Sequence, residues 1–203
     1  MLELLSKGGI IAIPILGCSV LVVAIFLERC ITFTLGRRRG RDIESQVQGL
    51  VQEGQMEAAL ETARANNSPM GRVLNTAIES RDMETALRDT VMVNAVDQEV
   101  QNLSTRLQTL ATIGNIAPIL GLLGTIIGMI KAFMVIQQMG GKVNAAVLAG
   151  GIWEAMLTTA LGLCVALPAM LAHSFLIARV DAQELRLQNG VVRFFTGLTG
   201  RAG

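Results

Sequence analysis

One carboxylate lies inside a long apolar stretch of the sequence. Glu154 is the only Asp, Glu, Lys or Arg residue between Val143 and Ala178. A charge near the centre of a bilayer costs about 2.5–3.5 kcal/mol, so such a residue persists where it faces protein or water, or where it takes up a proton. A carboxyl group that exists in both states can relay protons. Glu154 therefore predicts a proton path if it lies deep in the membrane. If the third span is instead placed so that Glu154 lies at the membrane surface, Glu154 is only an interfacial residue.

Two hydroxyl groups follow Glu154 at helical spacing. Thr158 lies one turn further along the same helix face, and Thr159 lies about 140° around the helix from Glu154. Hydroxyl groups donate and accept hydrogen bonds, so either could support water or a carboxyl group in a dry setting. The alternative is a local bond to the helix's own backbone, which is common in membrane helices. Helix geometry favours Thr158 over Thr159 as the hydroxyl group that lies beside Glu154.

The remaining residues offer little further chemistry. No nucleophile–base pair or set of metal ligands is visible, and the Gly121–Gly124 pair follows no strand, so it does not match a nucleotide-binding loop. We therefore expect no enzyme activity, no metal and no cofactor. The net charge of +1 and the absence of Tyr argue against nucleic-acid binding.

Composition and apolar run lengths indicate a membrane protein. Hydrophobic residues make up 51% of the 203 residues and charged residues only 16%, whereas soluble domains carry about 25% charged residues. The uncharged runs Ile10–Leu27 and Leu110–Ile130 and the longer region Val143–Ala178 each reach the length of about 18 residues that a membrane span needs. The predicted fold is an all-α membrane protein with three transmembrane helices. The second and third extend into a cytoplasmic helical stalk.

The distribution of Arg and Lys predicts the orientation. Arg37-Arg38-Arg39-Gly40-Arg41 follows the first span, and further Arg residues follow the third, whereas the loop between the second and third spans carries only Lys142. Basic residues mark the cytoplasmic side of a span. We expect a periplasmic N-terminus with the first transmembrane helix at 1–35, a cytoplasmic helical region at 36–109, the second transmembrane helix at 110–137, a periplasmic loop at 138–144, the third transmembrane helix at 145–178 and a cytoplasmic C-terminal helix at 179–203.

The cytoplasmic region has helical signals. Ser68-Pro69 predicts an N-cap with proline in the first turn of a helix that continues through Ile78. From Asp82 no Gly or Pro occurs until Gly114, so the simplest expectation is one helix from Asp82 to Gln137. Two sets of apolar residues recur at intervals of three and four and predict helix packing. They are Val93, Val96, Val100, Leu103, Leu107 and Leu110 in the first set, and Val180, Leu187, Val191 and Phe194 in the second.

Small residues recur about every fourth position in both the second and the third span. Such ladders let helix backbones approach closely in lipid. Three helices cannot easily shield a carboxyl group, so we expect a homo-oligomeric ring. The ladder residues are Ala117, Gly121, Gly124, Thr125 and Gly128 in the second span, and Thr158, Gly162 and Ala166 in the third.

Two segments also carry a recognisable motif. The first reads Gly121-Leu-Leu-Gly-Thr125-Ile-Ile-Gly-Met129, and the second reads Gly151-Ile-Trp-Glu154-Ala-Met-Leu-Thr-Thr159-Ala-Leu-Gly162. Both resemble the signature of the MotA/TolQ/ExbB proton-channel family, and the ExbB-like branch resembles the chain over essentially its whole length. Three spans rather than four argue against the flagellar branch.

The resemblance implies more than the residues alone. Family members form a pentamer whose second and third spans line a pore around two copies of a single-span partner resembling ExbD or TolR, with a TonB- or TolA-like protein as a further partner. It implies that Glu154, Thr125 and Thr159 line the pore, and Thr158 remains the lesser candidate. It also implies lipid contact and location in the inner membrane of a Gram-negative bacterium.

Two classes of function follow. The first is a subunit of a motor that uses the proton motive force to energise an outer-membrane process such as TonB-dependent uptake, with a TolQ-like or gliding-motor subunit as the alternative within the family. The second is a membrane scaffold that conducts nothing.

Overall fold

The computed structural model describes residues 11–139 and 145–199. These residues form six α-helices and no strand, which confirms the predicted all-α fold. The helices are α1 (Ala12–Glu53), α2 (Met56–Ala65), α3 (Pro69–Glu79), α4 (Thr85–Ser104), α5 (Leu107–Gln138) and α6 (Ala145–Thr199). The loop predicted at 138–144 lies outside the described residues from Gly140 onward, and so do the side chains of the basic run at 37–39 and 41.

Three of the helices are long and apolar enough to cross a membrane. The candidate spans are Ala12–Thr34 in α1, Leu107–Gln138 in α5 and Leu148–Leu198 in α6. About 20 apolar residues cross a bilayer, so each candidate meets the requirement. The prediction of three transmembrane helices is confirmed.

The chain forms two compact units. The first unit contains the residues up to Leu27 together with Arg106–Phe175. Within it α5 buries small residues at intervals of three and four, while many large apolar side chains remain exposed. Phe26 of α1 and Phe175 of α6 lie with their ring centroids 6.4 Å apart. The buried small residues of α5 are Gly114, Ala117, Gly121, Gly124, Gly128 and Ala132.

The second unit contains Glu28–Thr105 and the residues from Leu176 onward. Its core consists of apolar side chains from α1, α2, α3, α4 and α6, most of them large. Ser68 caps α3 as predicted, because its hydroxyl oxygen accepts a hydrogen bond of 3.1 Å from the Gly71 backbone N–H and Pro69 occupies the first turn. Among the core residues are Ile43, Val47, Val73, Leu74, Ile78, Met92, Val96, Leu187 and Phe194.

The expectation of one helix from Asp82 to Gln137 is wrong. α4 ends at Ser104 and α5 begins at Leu107, with Arg106 between them at φ 69°. A left-handed residue interrupts a right-handed helix even where no Gly or Pro is present. The apolar spacing also predicted a buried Val93, which is 60% exposed, whereas Met92 one position earlier is buried.

The first span continues further than its apolar run. α1 runs through the basic segment to Glu53, where Gly54 at φ 83° ends it. A glycine adopts this left-handed conformation without the steric cost of a side chain, which is why it commonly ends helices.

Candidate functional site

The glycines of α5 bring its backbone against α6. A β-carbon placed on Gly121 would lie 3.0 Å from the Thr158 carbonyl oxygen, and one placed on Gly128 would lie 3.1 Å from the Ala155 β-carbon. A β-carbon on Gly124 would overlap the Thr158 side chain. Only glycine fits these positions without movement of α6, so the predicted ladder packs against the third span of the same chain.

The third span contributes its own close approach. A β-carbon placed on Gly162 would lie 2.6 Å from the Ala117 carbonyl oxygen and 3.1 Å from the Gly121 Cα. Ala155 and Thr158 are buried on the same side of α6. The two helices therefore pack through small residues from both sides, which sets the positions of the polar side chains beside the seam.

The hydroxyl groups of Thr158 and Thr159 meet at the Gly121 carbonyl. Thr159 donates a hydrogen bond of 3.1 Å to Gly121 O. Thr158 donates one of 2.7 Å to Ala155 O on its own helix and lies 3.5 Å from Gly121 O. Thr158 is buried between the helices, whereas Thr159 is only half-buried.

Thr125 lies on α5 one turn after Gly121. Its hydroxyl group donates a hydrogen bond of 2.6 Å to Leu122 O of the same helix, and its side chain is half-buried. The structure therefore brings Thr158 and Thr159 together at Gly121 but joins neither to Thr125 by a hydrogen bond among the described residues. Local bonding of this kind is what the alternative interpretation of the threonines expected.

Glu154 lies beside a lysine that the sequence analysis missed. Its Oε1 is 3.7 Å from the Nζ of Lys131 on α5, and the two side chains are 33% and 57% exposed respectively. Lys131 ends the uncharged run of the second span, so it was assigned no role. The available signal was that five apolar residues, 132–136, follow Lys131 before the first polar residue.

A second charged pair lies in the second unit. Arg72 donates hydrogen bonds of 2.7 and 2.6 Å from Nε and Nη2 to the two carboxylate oxygens of the buried Glu99. The hydrogen bond to Glu99 is the main reason that the pKa of the Arg72 guanidinium lies above its usual value. Spacing predicted only apolar residues on this face of α4, so Glu99 was missed. Two-point Arg–carboxylate bonding keeps a buried acid paired and so makes it tolerable.

No metal-ligating cluster of three or more His, Cys, Asp or Glu residues occurs in the ranges 11–139 and 145–199.

Comparisons with known proteins give the same picture as the motifs. The chain is 30% identical to an ExbB homolog of Methanothermobacter thermautotrophicus over 186 residues, covering 89% of this chain and 64% of that protein. It is 28% identical to the biopolymer transport protein exbB1 of Vibrio cholerae over 190 residues, covering 92% of this chain and 83% of that protein. It is 38% identical to the Tol-Pal system protein TolQ of Haemophilus influenzae over 109 residues, covering 53% and 47%.

A family model also matches more than half of the chain. The match covers residues 65–189, which include α3, α4, α5 and every candidate site residue, and its description is the MotA/TolQ/ExbB proton channel family. The chain therefore belongs to the MotA/TolQ/ExbB proton channel family.

Proposed function

We propose that this chain is the proton-conducting stator subunit of an inner-membrane motor that energises a process at the outer membrane. Protons cross along α5 and α6, with Glu154 as the group that takes up and releases them and with Thr125 and Thr159 as hydroxyl groups along the path. The observation that carries the proposal is one carboxylate on a membrane-spanning helix, set beside a seam of small residues. Such intramembrane carboxylates mark ion and proton paths.

The exposure of the spans supports assembly into a ring. In each span, fewer than a third of the residues in the most apolar stretch are buried by this chain. Glu154 and Lys131 also remain partly exposed, although charged groups in lipid face protein or water. We infer that further copies of the chain, a pentamer, surround these residues together with two copies of a single-span partner of the ExbD or TolR type.

The distribution of Arg residues supports an orientation, and the names of the relatives support a process. The Arg residues after α1's span and in the C-terminal part of α6 support a cytoplasmic location for the second unit and a periplasmic N-terminus. The names of the relatives support two processes, biopolymer transport of the ExbB type and a Tol-Pal role of the TolQ type. For the first we propose TonB-dependent uptake as the process that is energised. Longer coverage of the ExbB relatives favours the first.

Proton flux tests the proposal. The chain is purified in mild detergent with the proteins that accompany it and is reconstituted into liposomes that contain a pH-sensitive dye. A potassium gradient with valinomycin then drives proton entry. Glu154→Gln keeps the shape and hydrogen-bonding capacity of the side chain but cannot take up a proton, so we expect proton entry to fall to the level of empty liposomes.

A matched control makes this test specific. Glu61→Gln introduces the same change on the exposed surface of α2 and should conduct as the unaltered protein does. If Glu154→Gln also conducts at the unaltered rate, proton transfer at Glu154 is refuted, and a non-conducting scaffold becomes the better account.

A further inference from the structure

Lys131 lies within a membrane span and not at its end. α5 continues for seven residues beyond it, to Gln138, a distance of about 10 Å along the helix axis. The first five of these residues, 132–136, are apolar. A lysine in such a position needs an anionic partner or a path for its side chain to water.

The sequence of the first unit leaves Glu154 as that anionic partner. Among the described residues of this unit, the only Asp, Glu, Lys or Arg residues are Arg106, Lys131 and Glu154. Arg106 precedes Lys131 by 25 positions along the chain, about 37 Å of helix. Lys131 lies side by side with Glu154, the only acid among the described residues of this unit, with Nζ and Oε1 3.7 Å apart.

The pair is loose compared with the ion pair of the buried Glu99. Charge-assisted hydrogen bonds are about 2.7–2.9 Å long, and Arg72 holds Glu99 through two such bonds. Lys131 makes a single, longer approach from a flexible side chain that is 57% exposed. The contact is therefore close enough to neutralise the carboxylate and weak enough to separate.

We propose that Lys131 is a positioning residue whose ammonium group stays paired with the Glu154 carboxylate while the protein is at rest. Protons then cross only when the ammonium group moves away from the carboxylate. This inference rests on the proposed function of Glu154. While the ammonium group is adjacent, it forms an ion pair with the carboxylate. When the side chain turns away, the carboxylate takes a proton from water on one side and returns it to water on the other.

The test uses the same reconstituted complex with three variants. Lys131→Gln removes the charge but keeps a long polar side chain, and Lys131→Arg keeps the charge. Since two charges about 4 Å apart interact several-fold more strongly in a protein than in water, the loss of the ammonium group should change proton entry strongly, and we expect Lys131→Gln to raise resting proton entry by at least about tenfold. Lys131→Arg should keep resting entry at the unaltered level, and Lys131→Gln with Glu154→Gln should conduct no more than Glu154→Gln alone.

Each outcome decides between explanations. Resting entry that is unchanged in Lys131→Gln overturns the role of Lys131, and so does an equal increase in Lys131→Arg, because then the charge is not what matters. Proton entry that returns in the double variant also overturns it, since Lys131 would then act as a barrier without Glu154. The proposed function survives all three results as long as Glu154→Gln alone abolishes flux. Elution of each complex at the unaltered volume in size-exclusion chromatography establishes that the variants assemble.

Discussion

The core of the second unit and the α5–α6 seam of the first unit are built from different side chains. In the second unit the core is made mainly of Leu, Ile, Val, Met and Phe, together with a few Ala residues. In the first unit the seam between α5 and α6 is made of Gly, Ala and Thr, and large apolar side chains point outward. In water, burial of large apolar groups drives folding, whereas in lipid helices associate through close contact of small residues. The chain is therefore built for two solvents.

The comparison predicts that the largest difference in stability is found when a leucine of each unit is replaced. Leu74 is 2% exposed in the core of the second unit, and Leu122 is 58% exposed on α5. Leu74→Ala leaves a cavity and should lower the free energy of unfolding by about 2–5 kcal/mol. Leu122→Ala should change it little, because the side chain meets lipid or detergent in either case. Thermal unfolding in detergent, followed by circular dichroism, measures both, and equal losses would contradict the contrast.

The charged pairs of the second unit give the next largest effect. Arg72→Gln leaves the buried Glu99 without its two charge-assisted bonds and should cost about 1.5–3 kcal/mol. Arg64 and Glu79 form a pair of similar length, 2.7 Å, with both side chains exposed, so Arg64→Gln should cost at most about 1 kcal/mol. The pKa of Arg72 is raised in the folded state. The contribution of the Arg72–Glu99 pair to the free energy of unfolding is therefore complete at any pH below the ordinary pKa of arginine, and it is lost only as the pH rises through the raised pKa. The same unfolding experiment at neutral pH checks both variants, and equal costs would argue against burial as the cause.

Two glycines test whether the seam requires the absence of a side chain. A β-carbon on Gly124 would overlap the Thr158 side chain, whereas one on Gly150 would meet no atom within 4 Å. Gly124→Ala should therefore cost about 1–3 kcal/mol through overpacking, while Gly150→Ala should be neutral or stabilising by up to about 1 kcal/mol through helix propensity. The difference in melting temperature between these two alanine variants is the measurement. A seam that tolerates Gly124→Ala as well as Gly150→Ala would not be close-packed.

Replacement of threonines should give the smallest change in the free energy of unfolding, and it tests the hydrogen bond across the seam. Thr159 donates to Gly121 on the neighbouring helix, and the exposed Thr112 donates to Gln108 of its own helix over 2.9 Å. Thr159→Val should cost about 0.5–1.5 kcal/mol, since the bond between helices is lost. Thr112→Val should cost less, because the lost bond lies within one helix and joins no two helices. Equal shifts in melting temperature would mean that the bond to Gly121 contributes nothing special.

Much of this organisation could be predicted from local patterns. Uncharged run length indicated the three spans, the Ser68-Pro69 pair indicated the start of α3, and the spacing of Leu187 and Phe194 indicated a buried stripe that the structure confirms. These features depend on residues close in sequence, so a single sequence contains them.

Features that depend on residues far apart in the sequence could not be predicted from it. The break at Arg106 involves no Gly or Pro, and Arg29 donates to the Leu103 carbonyl just before it, 74 positions away along the chain. Lys131 and Glu154 are 23 positions apart in sequence, and their pairing depends on how α5 and α6 pack. Glu99 likewise required knowledge of Arg72. The roles of Glu154, Thr125, Thr158 and Thr159 in proton transfer remain predictions.

Native mass spectrometry of the protein, gently extracted from its own membranes, tests the central claim most directly. That claim is that the first unit is one part of a larger assembly within the membrane that surrounds Glu154 and Lys131. We predict five copies of this chain together with two copies of a single-span protein, whose identity would also name the process that is energised. A folded monomer that retains its helical circular dichroism would contradict the claim, because it would leave both charged side chains facing lipid.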